Sequence, residues 1–546
     1  MIYGCLAGIA LLPLLRSPAG LVVGATRSDV WNSLWSHWWV AHGLAEGRWP
    51  ITTELLAHPD GGRLLVADPL GALLAAPLVL TLGPVLAYNL CAWLHCAAAG
   101  LAAHAMARRL GGQGWLAGAA FCCSPLLLAH LNNGASEAFA VAWVPLAGLA
   151  MVVALQRGGW ARITLAGLAL AVATVASWYT GLATWLLAAC LLVVGVGDGT
   201  TLRCRLGRGL PALALAATVC APFALWTWSL AQAPDGLVQI KADADLHRLR
   251  RTLGPADPRV FLTPGSFRSP DFATLEGRPG DYANVAYLGW VLLLAAVLPR
   301  WTRRGRIEAS TATGRSRGAE PALWMTLLLG VLAALGPVLV VDGLPLDIGG
   351  RALPLPYRLV ENLPGFAGLS LLWRLALAPT LALALLADRA ASRLPTRVYA
   401  TVLVMVLLEV HLLSPARGLP AVSPVPRSEA LEALAEAPPG AVLNLPVAAD
   451  RAYLYEQVLH GKPLAASLNS GATRPALELL AELRRQREGN ITQQEFTSNA
   501  QRRGIRYVVI HRNQLVAETF IPAINALRQQ GEQLHRDDLV EIHALW

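Results

Sequence analysis

Ala25-Thr26-Arg27-Ser28-Asp29-Val30-Trp31-Asn32-Ser33-Leu34-Trp35-Ser36-His37-Trp38-Trp39 follows an apolar N-terminal run, and its reading decides the fold. Four tryptophans fall within nine residues, and apolar positions continue to Leu44. The pattern predicts an amphipathic helix at a membrane interface, where an indole can bury its body and keep its N–H wet. Asp29 sits at the N-terminus of that helix. There a carboxylate can cap free backbone N–H groups, or it can serve as a general base at the mouth of a bundle. Spacing alone leaves both readings open.

The composition around this stretch points to a bilayer. Of 546 residues, 55% are hydrophobic and 14% charged, and mean hydropathy is +0.47. Water offers no shelter for that much apolar surface. The net charge of +9 does not indicate nucleic acid, because the only lysines are Lys241 and Lys462 and many arginines sit in short links between apolar runs. Positive-inside sorting produces that distribution. Eight cysteines, seven of them in apolar segments, show neither zinc spacing nor a disulfide framework.

Apolar runs near spanning length fall at 1–15, 85–107, 114–130, 137–155, 161–177, 180–197, 209–230, 285–299, 321–341, 368–387 and 397–413. The first lacks a basic n-region and a cleavage site, so it reads as a short span and not as a signal peptide. A start codon further upstream would account for its length. Residues 70–84 are apolar but short and flanked by proline, which suits an interfacial or re-entrant helix. With the N-terminus inside, five short links carry sixteen arginines, including Arg108, Arg109, Arg203, Arg205, Arg208, Arg389 and Arg393. The links 131–136 and 178–179 carry none. This parity places 16–84, 231–284, 342–367 and 414–546 on the outer side.

The expected architecture is therefore a polytopic α-helical membrane protein of about eleven spans over 1–413, followed by a small α/β domain over 414–546. In the tail, Ala441–Val447 and Ile505–His511 read as strands, 474–488, 492–503 and about 519–530 as helices, and 532–536 and 539–545 as short strands. The tail has neither a glycine-rich phosphate loop nor a catalytic triad pattern.

Candidate chemistry gathers on the outer side. The first loop continues through His58-Pro59-Asp60-Gly61 to Asp68-Pro69, where Pro-Asp-Gly is turn chemistry and Asp68 can start a helix. The same acids and histidine suit a general base or a hard divalent cation, Mg or Mn. A second polar island, His130-Leu131-Asn132-Asn133-Gly134-Ala135-Ser136-Glu137, opens the fourth run. Its Glu137 is either a first-turn acid or a functional carboxylate. Arg374, near the outer end of run ten, can snorkel, form an ion pair within the bundle, or hold a phosphate through its planar fork. Arg358 and Arg351, in the proline-rich loop before it, can join that site or be solvated.

The arrangement resembles the GT-C superfamily of polytopic glycosyltransferases, and within it a group of bacterial membrane proteins. The resemblance rests on Asp29–Trp39, His58-Pro59-Asp60-Gly61, Pro84–Asn89 leading to Ala107-Arg108-Arg109-Leu110, Ser124–His130, Leu355–Phe366 with Trp373-Arg374, Pro439–Pro446 and Gly504–His511. One departure is a single acid at Asp29, where several branches carry a pair. The resemblance implies inverting transfer of a sugar from a polyprenyl-phosphate donor to a lipid, glycan or protein acceptor on the outer face of a bacterial inner membrane. It implies Asp29 as base, Arg374 on the donor phosphate, and Asp68 and Glu137 assisting the acceptor or a metal. Arg358, His58, Asp60 and His130 would stand as substrate contacts. The competing reading is a transporter, flippase or accessory protein of envelope polysaccharide assembly built on the same scaffold. The scarcity of acids at mid-span speaks against a transmembrane path.

Overall fold

Each apolar run contains a helix in the computed structural model, which describes residues 1–26, 28–196, 199–237, 243–263, 285–301, 319–363, 365–413, 419–447, 452–466, 473–512, 521–530 and 532–546. Most of the basic link 300–318, the second half of the 231–284 loop and parts of the tail lie outside the described residues. Among those described, Pro84–Arg109, Trp115–Asn133, Ser136–Arg157 and Leu202–Gln232 are long and apolar enough to cross a membrane. Trp160–Ala176, Trp178–Val194 and Ala319–Ala334 are apolar and shorter. Ile2–Ala10, Trp290–Trp301, Leu377–Ala391 and Thr396–Leu413 complete the set.

Breaks in these helices follow from local chemistry. Ser124 caps Pro125–Asn133 by accepting from the Leu127 N–H at 3.3 Å, with Pro125 at the first helical position. Gly134 ends that helix with φ +67°. A Cβ there would stand 2.5 Å from the Cβ of Val30, so only glycine lets the two chains pass this closely.

The two ends of the bundle differ. Near Asp29, the Tyr88 hydroxyl donates to Gly134 O at 2.6 Å. Asn89 holds the loop after the first helix, donating to Pro18 O and Leu21 O and accepting from Val23 N. Arginine-bearing links gather at the opposite helix ends. Arg389 donates to Leu110 O at 2.5 Å and pairs with Glu320, and Arg208 donates to the carbonyls of Leu155 and Gln156. Asp388, fully buried, accepts from the N–H groups of Gly114, Leu116 and Ala117 and from the Tyr399 hydroxyl. It caps the helix Trp115–Cys122 from across the bundle.

The tail forms a four-stranded sheet ordered Ala441–Leu445, Ile505–His511, Val540–Ala544, Glu532–Arg536, with only the first pair parallel. Alternation along the strands divides its two faces. Leu443, Leu445, Val508 and Ile510 pack on the tail's own helices, Arg474–Arg487, Gln493–Arg502 and Ile521–Gln530. Val442, Tyr507, Val509 and Ile542 share a core with Trp35, Trp39, Leu56 and Leu64 of the first loop. The strand Val422–Pro424 also pairs antiparallel with Leu21–Val23, so the start of the tail is woven into the loop after the first helix.

This packing corrects the expected interfacial role of the Trp-rich stretch. It is helical over Val30–Ala45, but Trp31 and Trp35 are completely buried and Trp39 nearly so. The tail helix Ala452–His460 covers it. Tyr455 packs on Trp31 with ring centres 5.8 Å apart, and the Trp35 indole N–H donates to Gln457 Oε1 at 2.6 Å. The tryptophans face protein because two apolar cores meet at this helix, the bundle's around Trp31 and the one shared with the tail sheet around Trp35 and Trp39. Residues 70–84 form the short helix Pro69–Leu82. It buries Ala72, Ala75, Ala76 and Val79 and leaves Leu73, Leu74, Leu80 and Leu82 exposed.

Candidate functional site

The turn that joins Pro125–Asn133 to Ser136–Phe139 is where the candidate residues converge. Its backbone meets the first loop directly: Ala25 N–H donates to Asn132 O at 2.7 Å and Asp29 N–H to Asn133 O at 3.0 Å. The Asn132 side chain accepts from Ala421 N–H at 2.8 Å, which ties the same turn to the tail.

Asp29 is half-buried at the N-cap position of Val30–Ala45, in helical backbone geometry, and its side chain makes no cap hydrogen bond. Its Oδ2 instead accepts from Asn133 Nδ2 at 2.9 Å. The capping role open from the sequence is thus not the one Asp29 plays. The carboxylate is turned from its own helix toward the polar turn.

Asp68 does start its helix, accepting from Gly71 N–H at 2.8 Å, and it is buried. Burial pushes its carboxyl up to about 7. The nearby Glu137 carboxylate adds to the rise, while the Gly71 N–H and the Ser136 hydroxyl oppose it. Ser136 N–H in turn donates to Ser33 Oγ at 3.1 Å, one helical turn beyond Asp29. One turn of chain therefore links Asp29, Ser33, Asp68 and Glu137.

Glu137 is the acid in the first turn of Ser136–Phe139, as one reading of the sequence had it, and that helix has no side-chain cap hydrogen bond. Glu137 Oε1 lies 3.4 Å from Arg374 Nη1, so the ion pair considered for Arg374 from the sequence is present. Arg374 belongs to the 3-10 turn Leu372–Ala376, which leads into Leu377–Ala391, and its guanidinium is buried. That guanidinium lies 5.4 Å from the ring centre of Tyr179 and 5.9 Å from that of Trp373. The Tyr179 hydroxyl accepts from Ser370 N–H and Leu371 N–H, and Trp373 N–H donates to Gly254 O. Buried Arg250 donates to the carbonyls of Leu369, Phe366 and Ala367, securing the loop before the turn. His130 stacks on Trp373 with ring centres 5.3 Å apart.

Three further residues that the sequence offered as substrate contacts lie elsewhere. The His58 ring is half-buried against the tail: Nε2 contacts Arg503 O at 3.0 Å, its carbonyl accepts from Thr473 Oγ1, and burial lowers its pKa. Asp60 is exposed in the adjoining turn. Arg358 is exposed in the 3-10 turn Pro356–Leu359 and makes no described contact with Arg374. The sequence reading missed Asn133, Ser136, Tyr179 and Trp373. Asn133 and Ser136 lay inside the polar island, whose interruption of an apolar run was the available signal. Trp373 entered only beside Arg374 in the family resemblance, and Tyr179 lies in the short corner 178–179 between two apolar runs.

Asp68 caps a helix and Glu137 faces a cation. Among the described residues, no three His, Cys, Asp or Glu side chains stand at metal-holding spacing.

No family model and no curated protein sequence matches the chain. Solved structures do. Arabinofuranosyltransferase AftD from Mycobacteria aligns with TM-score 0.55 at 16% identity, over 100% of this chain and 41% of that one. Archaeal oligosaccharyltransferase AglB from Archaeoglobus fulgidus, solved with an inhibitory peptide and a dolichol-phosphate, aligns with TM-score 0.50 at 11% identity, over 93% of this chain and 68% of that one. This chain spans less than half the length of the arabinofuranosyltransferase. A shared backbone path at such low identity is a statement about fold, and this chain shares the fold of these two transferases.

Proposed function

We propose that this chain transfers a sugar from a polyprenyl-phosphate donor to an acceptor hydroxyl or amide, with Asp29 as general base and Arg374 on the donor phosphate. The observation that carries the reading is the convergence of a half-buried, non-capping carboxylate and a buried guanidinium on the single turn His130–Glu137. In this reading Asp29 takes the acceptor proton as the new glycosidic bond forms. Asn133 holds the Asp29 carboxylate in place. Arg374 stabilises the negative charge that collects on the departing polyprenyl phosphate. The acceptor attacks from the face opposite the leaving group, so the anomeric centre inverts. Asp68 and Glu137 line the acceptor side.

The proposed setting is a bacterial inner membrane, with the Asp29 end and the tail outside and the N-terminus in the cytosol. Support comes from the arginine-bearing links, which gather at the helix ends opposite Asp29. The direct test is reconstitution in vesicles with a panel of polyprenyl-phosphate-linked sugars, following release of polyprenyl phosphate. Release that depends on acceptor is the expected result. No release from any member of the panel would count against the assignment.

A further inference from the structure

Around Arg374, three buried polar atoms have no hydrogen-bond partner among the described residues: Arg374 Nε, Trp373 Nε1 and His130 Nδ1. They belong to side chains in mutual contact, since His130 stacks on Trp373 and the guanidinium lies over the Trp373 ring. A buried donor left unsatisfied costs about 1–3 kcal/mol, and native interiors rarely leave several side by side. Three at one point describe a site whose ligand supplies the missing acceptors. The guanidinium and the indole N–H can only donate, so that ligand is rich in acceptor oxygens and negatively charged.

Among the described residues, Glu137 holds the one anionic contact this cation makes, at a long 3.4 Å and through Nη1 alone. A carboxylate built to secure an arginine permanently usually engages it through two short parallel bonds, as Glu482 does with Arg503 in the tail, at 2.9 Å each.

We propose that Arg374, Trp373 and His130 form a phosphate site in which Glu137 is an exchangeable occupant, displaced when the phosphate of a prenyl-type lipid arrives. This deepens the reading of Arg374 given above and rests on it. Arrival of the phosphate transfers the guanidinium from the carboxylate to the ligand. Trp373 Nε1 then donates to a phosphate oxygen, and Glu137 is freed toward Asp68 and Ser136. Donor binding thereby adds a negative charge beside the acceptor-side acids at the moment the donor is in place.

The test measures binding of farnesyl phosphate, with inorganic phosphate and farnesol as companion probes, to the full chain in nanodiscs. Glu137→Gln is expected to bind farnesyl phosphate roughly three- to tenfold more tightly than the wild type, because no carboxylate competes. Equal or weaker binding overturns the exchange and makes Glu137 a positioning partner of Arg374. Trp373→Phe keeps the ring and removes the N–H, and it is expected to weaken binding severalfold; unchanged binding removes Trp373 from the site. Arg374→Gln should lose binding by more than about tenfold. If it binds as the wild type does, the phosphate reading of Arg374 itself fails, independently of Glu137. Competition by inorganic phosphate with none by farnesol identifies the phosphate group as the recognised part. Competition by farnesol alone overturns the proposal. Thermal unfolding of each variant confirms that affinities refer to folded protein.

Discussion

Asn133 donates its side-chain N–H to Asp29 at 2.9 Å, and its backbone carbonyl accepts the Asp29 N–H at 3.0 Å. Two bonds from one residue hold both the backbone and the carboxylate of the candidate base, from 104 residues away in sequence. An acid at the N-cap position of its own helix is thereby turned toward the polar turn at His130–Glu137.

Replacing Asp29 by asparagine keeps an oxygen acceptor for Asn133 and removes the basicity. Glycosyl transfer in reconstituted vesicles should fall by about 10²–10⁴-fold, the usual contribution of a general base. Expression and melting temperature should stay close to wild type. Full turnover by Asp29→Asn would remove Asp29 from the chemistry.

Asn133→Ala tests positioning. Loss of a hydrogen bond to a charged group costs about 1.5–3 kcal/mol, and here the loss should appear in kcat more than in KM because Asp29 is no longer aimed. Asn133→Asp should be at least as damaging, since it sets a second carboxylate against Asp29. Equal activity in both variants would show that Asp29 needs no such support.

Gly134→Ala places a methyl group 2.5 Å from the Val30 Cβ at a backbone φ of +67°. Strain and overpacking together should destabilise the chain by about 1–3 kcal/mol. A lower thermal unfolding midpoint is the readout, and activity should fall with it because Val30 adjoins Asp29.

Asp68 gives a pH signature. Its folded pKa lies near 7, above that of an ordinary carboxyl, so over the interval between them the folded chain holds a proton the unfolded chain has released. Stability from this group is fully present at low pH and falls as pH rises through about 7. Asp68→Asn can still accept from Gly71 N–H and cannot ionise. Its melting temperature should gain on the wild type as pH climbs from about 5 to about 9. A constant difference across that range would mean that Asp68 is ionised throughout.

His58→Ala separates docking from chemistry. The ring contacts Arg503 O on the tail, so its loss should loosen the tail by about 1 kcal/mol and speed limited proteolysis there. Transfer activity should remain within about threefold of wild type. A large loss of activity with an unchanged tail would return His58 to the substrate.

Legibility followed the range of the interactions. The strands Ile505–His511 and Glu532–Arg536 and the helix Gln493–Arg502 appear where alternation and helical periodicity placed them, because both are properties of a short window. The same window misled at Val30–Ala45. Four tryptophans report that a helix is apolar, not whether lipid or protein covers it, and the tail helix Ala452–His460 supplied the cover from more than 400 positions away.

The sequence by itself determined a membrane-type composition, the set of apolar helices, the gathering of arginines in short links between them and the α/β character of the tail. Each is a sum of local terms: hydropathy, periodicity and charge near helix ends. Only the tertiary structure decided which polar residues meet. Asp29 and Asn133, Glu137 and Arg374, and His130 and Trp373 are paired by the crossing of helices distant in sequence. His58 and Asp60, close to Asp29 along the chain, went instead to the tail and to solvent. Burying the second face of the tail sheet against the first loop drew His58 there, and that gain depends on contacts no local stretch of sequence contains.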